Sequence, residues 1–309
     1  MIEPRLTNIG SLSWTERHHI DQVLKSGQTP VIQFSHGSYT PSLLNGINVL
    51  CRELGHRLQV RFYGFYGGTF DASVLEQLKD AQNLAIDCLQ RIEKQGAIAQ
   101  VRCLKEFSFG VLFFKDGRFL SHVPKQELIK ISISDSVRGN LDLAPLDEAL
   151  GLREVYIRGQ RKNIDVLASL PHLESARLAR MPKSLSLAFL SRCRSLRHLE
   201  LVLGGRTELD FEHSELEILE VDWVRGLTTL GPLRRFPRLR TLRLERLNRL
   251  ERIDVRDVPL RKIVISDCKN LRHVEGLETL DGLVEFKVGR ELQELTRNQW
   301  PASLRDRPC

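Results

Sequence analysis

The most regular feature of the chain is an apolar spacing in which a leucine-type position is followed three and five residues later by two more. It runs through Leu104/Phe107/Phe109, Leu128/Ile131/Ile133, Leu152/Val155/Ile157 and Leu173/Ala176/Leu178. It continues through Leu196/Leu199/Leu201, Leu216/Leu219/Val221, Leu239/Leu242/Leu244, Leu260/Ile263/Ile265 and Leu283/Phe286/Val288. The starts are 24, 24, 21, 23, 20, 23, 21 and 23 residues apart. The last two apolar positions of each triplet alternate with polar ones, which predicts a short strand with one buried face. A fainter unit, Ala81/Leu84/Ile86, lies 23 residues before Leu104. Earlier still, LQVRFY puts Leu58, Val60 and Phe62 on one strand face, and PVIQF does the same with Ile32 and Phe34. Helical stretches are expected after both, PSLLNGINVLCREL and DASVLEQLKDA. Ser13-x-x-Glu16 has the spacing of a capping box and predicts a helix over Trp14–Lys25. A second terminal helix is expected over Glu291–Trp300, ended by Pro301.

A single triplet of this kind is weak evidence, since any half-buried strand can supply it. Nine in one register at a period of about 20–29 residues resemble the leucine-rich-repeat family. The resemblance covers about residues 29–290. It implies an α/β solenoid with a curved parallel sheet on its concave face, helices and irregular coils on its convex face, and helical caps. On that reading residues 1–28 form an N-terminal helical cap, 29–290 hold about eleven or twelve units, and 291–309 form a C-terminal cap and tail. The family usually carries Asn or Cys three residues beyond the last Leu, where it bonds the loop backbone of adjacent coils. Here only Cys268 fits, the equivalent positions being Ser136, Gln160, Met181, Gly204, Val224 and Leu247. Apolar positions persist beyond the motif, as in Val224/Leu227/Leu230/Leu233 and Leu247/Leu250/Ile253. The pattern is closest to the irregular, cysteine-type, bacterial-like variant.

Composition narrows the class. With 41% apolar and 28% charged residues the 309-residue chain is neither disordered nor low-complexity. No run approaches the ~18 apolar residues of a membrane span, and the first residues do not read as a secretory signal, so a cytoplasmic protein is expected. The six cysteines are scattered without a CxxC pair; most are expected to be small core residues, with Cys309 exposed, and no metal site is expected. The net charge of +7 raises nucleic acid as a partner. Its distribution argues against one: residues 1–126 carry +3 and residues 127–309 carry +4, with both signs interleaved, as in LRTLRLERLNRLERIDVRD.

Candidate chemistry is sparse. None of the phosphate-loop, dinucleotide, zinc-protease or nucleophile-elbow motifs occurs. FYGFYGG lacks phosphate-loop spacing and is expected to be a turn after a strand. His18 and His19 are helical neighbours and do not share a face. His36 is the best lone general-base candidate, without an assignable carboxylate. No catalytic pair and no cofactor follow from the sequence.

The constellation with most promise is the row of polar positions between the leucines. One column reads Ser108, Ser132, Tyr156, Arg177, Glu200, Glu220, Arg243, Val264 and Lys287; two residues further the second reads Gly110, Ser134, Arg158, Ala179, Val202, Asp222, Glu245, Ser266 and Gly289. Gln33, Gln59, Arg61 and Tyr63 are expected to extend the face. Tyr156, Arg158 and Arg177 should cluster, followed by Glu200, Glu220, Asp222 and Trp223, and then by Arg243 and Glu245. Trp, Tyr and Arg are the residue types enriched at binding hot spots. Trp223 stands out because an exposed indole is costly unless something covers it. The resemblance implies a non-enzymatic scaffold that binds another protein. The specific expectation is a bacterial immunity protein that occludes a toxin. The alternatives are a translocated effector binding a host protein and, third, a nucleic-acid binder.

Overall fold

The computed structural model describes residues 3–35, 37–134, 141–296, 298 and 300–301. His36, Ser136 and Cys309 lie outside the described residues. The chain folds as two compact units, Met1–Arg153 with Gln160–Ile164, and Glu154–Gly159 with Asp165–Cys309.

The first unit opens with a strand that the apolar pattern does not announce, β1 (Arg5–Thr7), ahead of helix α1 (Trp14–Lys25). The capping box is present: Ser13 Oγ accepts from Thr15 N–H, and Glu16 Oε2 accepts from Ser13 N–H. Strands β2 (Val31–Ser35), β3 (Gln59–Asp71), β4 (Asn83–Glu93), β5 (Glu106–Val111) and β6 (Lys130–Ile133) follow, each parallel to the one before it. The register joins Leu6, Ile32, Val60, Leu84, Phe107 and Ile131 in one inward row, and Phe34, Phe62, Ile86, Phe109 and Ile133 in the next. Helix α2 (Pro41–Leu54) returns the chain from β2 to β3. It starts because Thr40 Oγ1 accepts from Leu43 N–H with Pro41 in the first turn, and it stops at Gly55, whose φ of 62° few side chains tolerate. It buries Leu43, Leu44, Ile47, Leu50 and Cys51.

Two local expectations need correction. DASVLEQLKDA is not an α-helix but a short 3-10 turn over Ala72–Gln77, started by Asp71 accepting from Ser73 N–H. FYGFYGG does not end its strand: β3 pairs with β4 on both sides of a bulge between Tyr63 and Gly67. The bulge requires glycine at 64, where a Cβ would stand 2.3 Å from the Gly67 carbonyl oxygen.

In the second unit β7 (Glu154–Arg158), β8 (Ser175–Met181), β9 (His198–Gly204), β10 (Ile218–Val224) and β11 (Thr241–Glu245) run parallel in chain order. After β12 (Arg252–Asp254) the sheet continues with β13 (Lys262–Ser266) and, past β14 (His273–Glu275), with β15 (Glu285–Val288). Strands β12 and β14 pair only with each other, in a second small ladder. The helix α3 (Arg290–Thr296) follows, with Trp300 Nε1 donating to Thr296 Oγ1 and its ring edge-on to Phe286. The inward rows are Val155/Ala176/Leu199/Leu219/Leu242/Ile263/Phe286 and Ile157/Leu178/Leu201/Val221/Leu244/Ile265/Val288, the register that the apolar triplets predict. Each unit is thus a leucine-rich-repeat coil stack of mixed α/β character. A single coil buries only a few side chains, and stacking closes the core between neighbours.

Loop closure takes an unexpected form, because basic and amide side chains stand where an asparagine ladder would. In the first unit Lys125 Nζ donates to the Leu120 and Val123 carbonyls, both at 3.1 Å, and Gln160 Oε1 accepts from Leu141 N–H at 2.9 Å. In the second, Arg206 Nη2 donates to Leu185 O, and Arg235 donates to Leu209 O and Leu230 O. His213 Nε2 donates to Cys193 O at 2.8 Å while its Nδ1 accepts from Glu215 N–H. Each satisfies buried backbone groups that coil returns leave without partners. Cys51 and Cys193 are buried, and burial pushes both thiols up to about 12.

Candidate functional site

The site is a patch of side chains on the outward rows of β7–β11, all within the second unit. Its geometry begins with the backbone. Two residues after the second inward position of β7, β8, β9, β10, β11 and β13 the chain turns left-handed, at Gly159, Arg180, Leu203, Trp223, Arg246 and Asp267, with φ between 51° and 73°. Strict alternation after Leu219 and Val221 would send residue 223 inward. The left-handed turn breaks that alternation, so Asp222 and Trp223 both face out and Val224 returns to the core. For an L-residue the turn costs about 1–2 kcal/mol, and the packing of the coils on either side holds it.

The strand register places Tyr156, Arg177, Glu200, Glu220 and Arg243 side by side in one column, as the sequence pattern predicts. The Arg177 guanidinium lies over the Tyr156 ring, 5.3 Å from its centroid, and its Nε is 3.1 Å from Glu200 Oε2. Glu220 Oε1 is 3.2 Å from His198 Nε2, and its Oε2 is 4.0 Å from Arg243 Nε. Arg243 Nη2 reaches Glu245 Oε2 at 3.4 Å. Burial, together with the neighbouring negative charges of Glu220 and Asp222, raises the Glu200 carboxyl above its usual range, and Arg177 and His198 partly offset it. The second column is interrupted: Arg158 and Asp222 are separated by Ala179 and Val202, which are buried. Arg158 therefore lies beside Ala179 in that column and is not continuous with Asp222.

Trp223 is 40% exposed and lies within cation–π reach of two guanidinium groups, Arg225 at 5.0 Å and Arg246 at 5.3 Å from the ring centroid. Arg246 is fixed by a forked pair of bonds to Asp222, Nε to Oδ1 at 2.9 Å and Nη2 to Oδ2 at 2.5 Å, and by Glu245 at 3.2 Å. Arg225, Arg246 and His198 are not in the expected contact set, His198 having no spacing in common with His213 and His273. The signal for Arg246 was available: it lies 23 residues after Trp223, the length of that coil, and so occupies the same left-handed position.

In the first unit the face differs from the expectation. Gln33 and Tyr63 are buried; Gln33 Oε1 accepts from Arg61 Nη1, and Asp87 Oδ1 accepts from Arg61 Nε. His18 stacks on the exposed Trp14 and bonds Gln22. Among the described residues no His, Cys, Asp and Glu side chains group as metal ligands, and no helix is long and apolar enough to cross a membrane.

No sequence-family model matches the chain, and no curated protein sequence matches it. Among solved structures it is similar to an internalin from Listeria monocytogenes, at 15% identity over 76% of this chain and 79% of that one, TM-score 0.40. It is similar to a leucine-rich-repeat protein of Leptospira interrogans, at 14% identity over 94% and 91%, TM-score 0.35. The leucine-rich-repeat domain of the type III effector XopL matches at 15% over 77% and 74%, TM-score 0.35.

Proposed function

We propose that the chain is a non-catalytic scaffold that binds another protein through the outward face of β7–β11, with Tyr156, Arg158, Arg177, Glu200, Glu220, Asp222, Trp223, Arg243 and Glu245 as its contact residues. The observation that carries this reading is Trp223. An indole that exposed, on a short strand and flanked by two arginines, has the chemistry of an interface anchor. The charges around it are preorganised in cross-strand pairs, so a partner meets them with little ordering cost. Within this class the partner is a toxin, which the chain neutralises by covering its active site or substrate channel.

The test is affinity capture from the source organism's lysate on immobilised native protein beside a Trp223→Ala/Arg243→Ala double variant of equal thermal stability. The expected result is a stoichiometric protein partner retained only by the native chain, whose toxic activity falls on adding the native chain and not the variant. A partner retained equally by both would place binding elsewhere. Capture of nucleic acid alone would overturn the protein-binding reading.

A further inference from the structure

A cavity of about 390 Å³ opens in the first unit, where the second half of β3 leaves its bulge. Two of the chain's four tyrosines line it, Tyr39 and Tyr63, with Phe34, Phe62 and Phe70. Phe34 and Phe62 are fully buried and form the floor; Tyr39 meets both edge-on, with centroids at 5.6 and 5.4 Å, and Phe70 packs on Phe62 at 4.7 Å. Among the described residues Asp71 is the one charged residue that lines the cavity. Its Oδ1 accepts from Ser73, while its Oδ2 meets only Lys94 Nζ, at 2.8 Å, in a pair whose side chains are 45% and 63% exposed. Burial first, and then the Asp71 charge, raise the Tyr39 phenol, so the carboxylate's field reaches the aromatic wall. Phe65 extends the aromatic surface outward from Tyr63, 73% exposed and held left-handed at φ 48°.

Aromatic faces carry negative potential, and a carboxylate at their edge adds to it. One carboxylate with the neutral hydroxyls of Tyr39, Tyr63 and Thr69 falls short of the six or more oxygens, several of them charged, that a hard metal ion prefers. It suits a weakly hydrated organic cation. We propose that this cavity binds a small alkylated ammonium group, held against Tyr39, Tyr63 and Phe70 with Asp71 as its counter-charge. The site is independent of the protein-binding face and does not rest on that reading.

The probes are choline and its neutral isostere, in which carbon replaces the nitrogen, titrated into the full chain by calorimetry. Choline is expected to bind at least roughly tenfold more tightly than the isostere, the ratio that a desolvated cation–π contact supports. Asp71→Asn, which keeps the turn-starting acceptor, is expected to weaken choline by a similar factor. Lys94→Gln is expected to strengthen it, because the exposed ammonium competes for the same oxygen. Trp223→Ala is expected to leave it unchanged. Absence of choline binding, equal binding of the isostere, or indifference to Asp71→Asn would each overturn the proposal.

Discussion

Lys125 is the sharpest test of how the coils are closed. Its side chain is 4% exposed, and its ammonium donates to two buried backbone carbonyls, Leu120 O and Val123 O. Glu148 lies 3.4 Å away but is 66% exposed. Lys125→Met keeps the apolar stem and removes the donor, leaving two buried acceptors without a partner. Each orphaned acceptor costs about 1–3 kcal/mol, and relief from burying the ammonium offsets part of that, so the net loss is about 2–4 kcal/mol. A unit of this size loses about 2–4 °C per kcal/mol, so the melting temperature should fall by about 5–15 °C. Glu148→Gln, by contrast, changes only the solvated partner of the pair, the ammonium keeping its two carbonyls, and should cost less than about 1 kcal/mol. Circular-dichroism melts and urea midpoints of the two variants decide it. If Lys125→Met stays within about 0.5 kcal/mol of native, or Glu148→Gln costs as much, carbonyl capping is not what holds that loop.

Two further outcomes follow from the same physics. His213 is buried and neutral, and burial lowers its pKa below the ordinary 6.5. The unfolded chain therefore binds this proton more readily than the folded one. Its stability contribution is present above about pH 6.5, falls as pH drops below that toward the folded pKa, and levels off beneath it. Urea midpoints measured across that window should show this loss in native protein and lack it in His213→Gln; parallel curves would contradict the assignment. Asp267 is exposed at φ 54°, so Asp267→Val should cost about 1–2 kcal/mol while Asp267→Gly stays within about 0.5. Equal denaturation midpoints for the two variants would rule out strain at that column.

Of the fold, the periodic part was legible without a structure. The triplet Leu216/Leu219/Val221 and its counterparts encode both the strand and its register, because stacking identical coils leaves one way to bury every leucine at once. Helix α1 was equally legible, since Ser13 and Glu16 carry their own local hydrogen bonds. What only the tertiary structure decided lies where neighbours compete with local preference. Strand β1 exists because Arg5–Thr7 finds β2 to pair with, not because three residues prefer extension. The bulge in β3 depends on β4 re-forming its ladder beyond Tyr63. The direction of Trp223 depends on a left-handed turn that no glycine marks, and its two arginine neighbours come from its own loop and from the next coil. The column Tyr156–Arg177–Glu200–Glu220–Arg243 was therefore foreseeable from spacing. The cations around the indole and the basic caps at Lys125, Arg206 and Arg235 were not, because which carbonyl or ring a long flexible side chain meets is settled only when the coils pack.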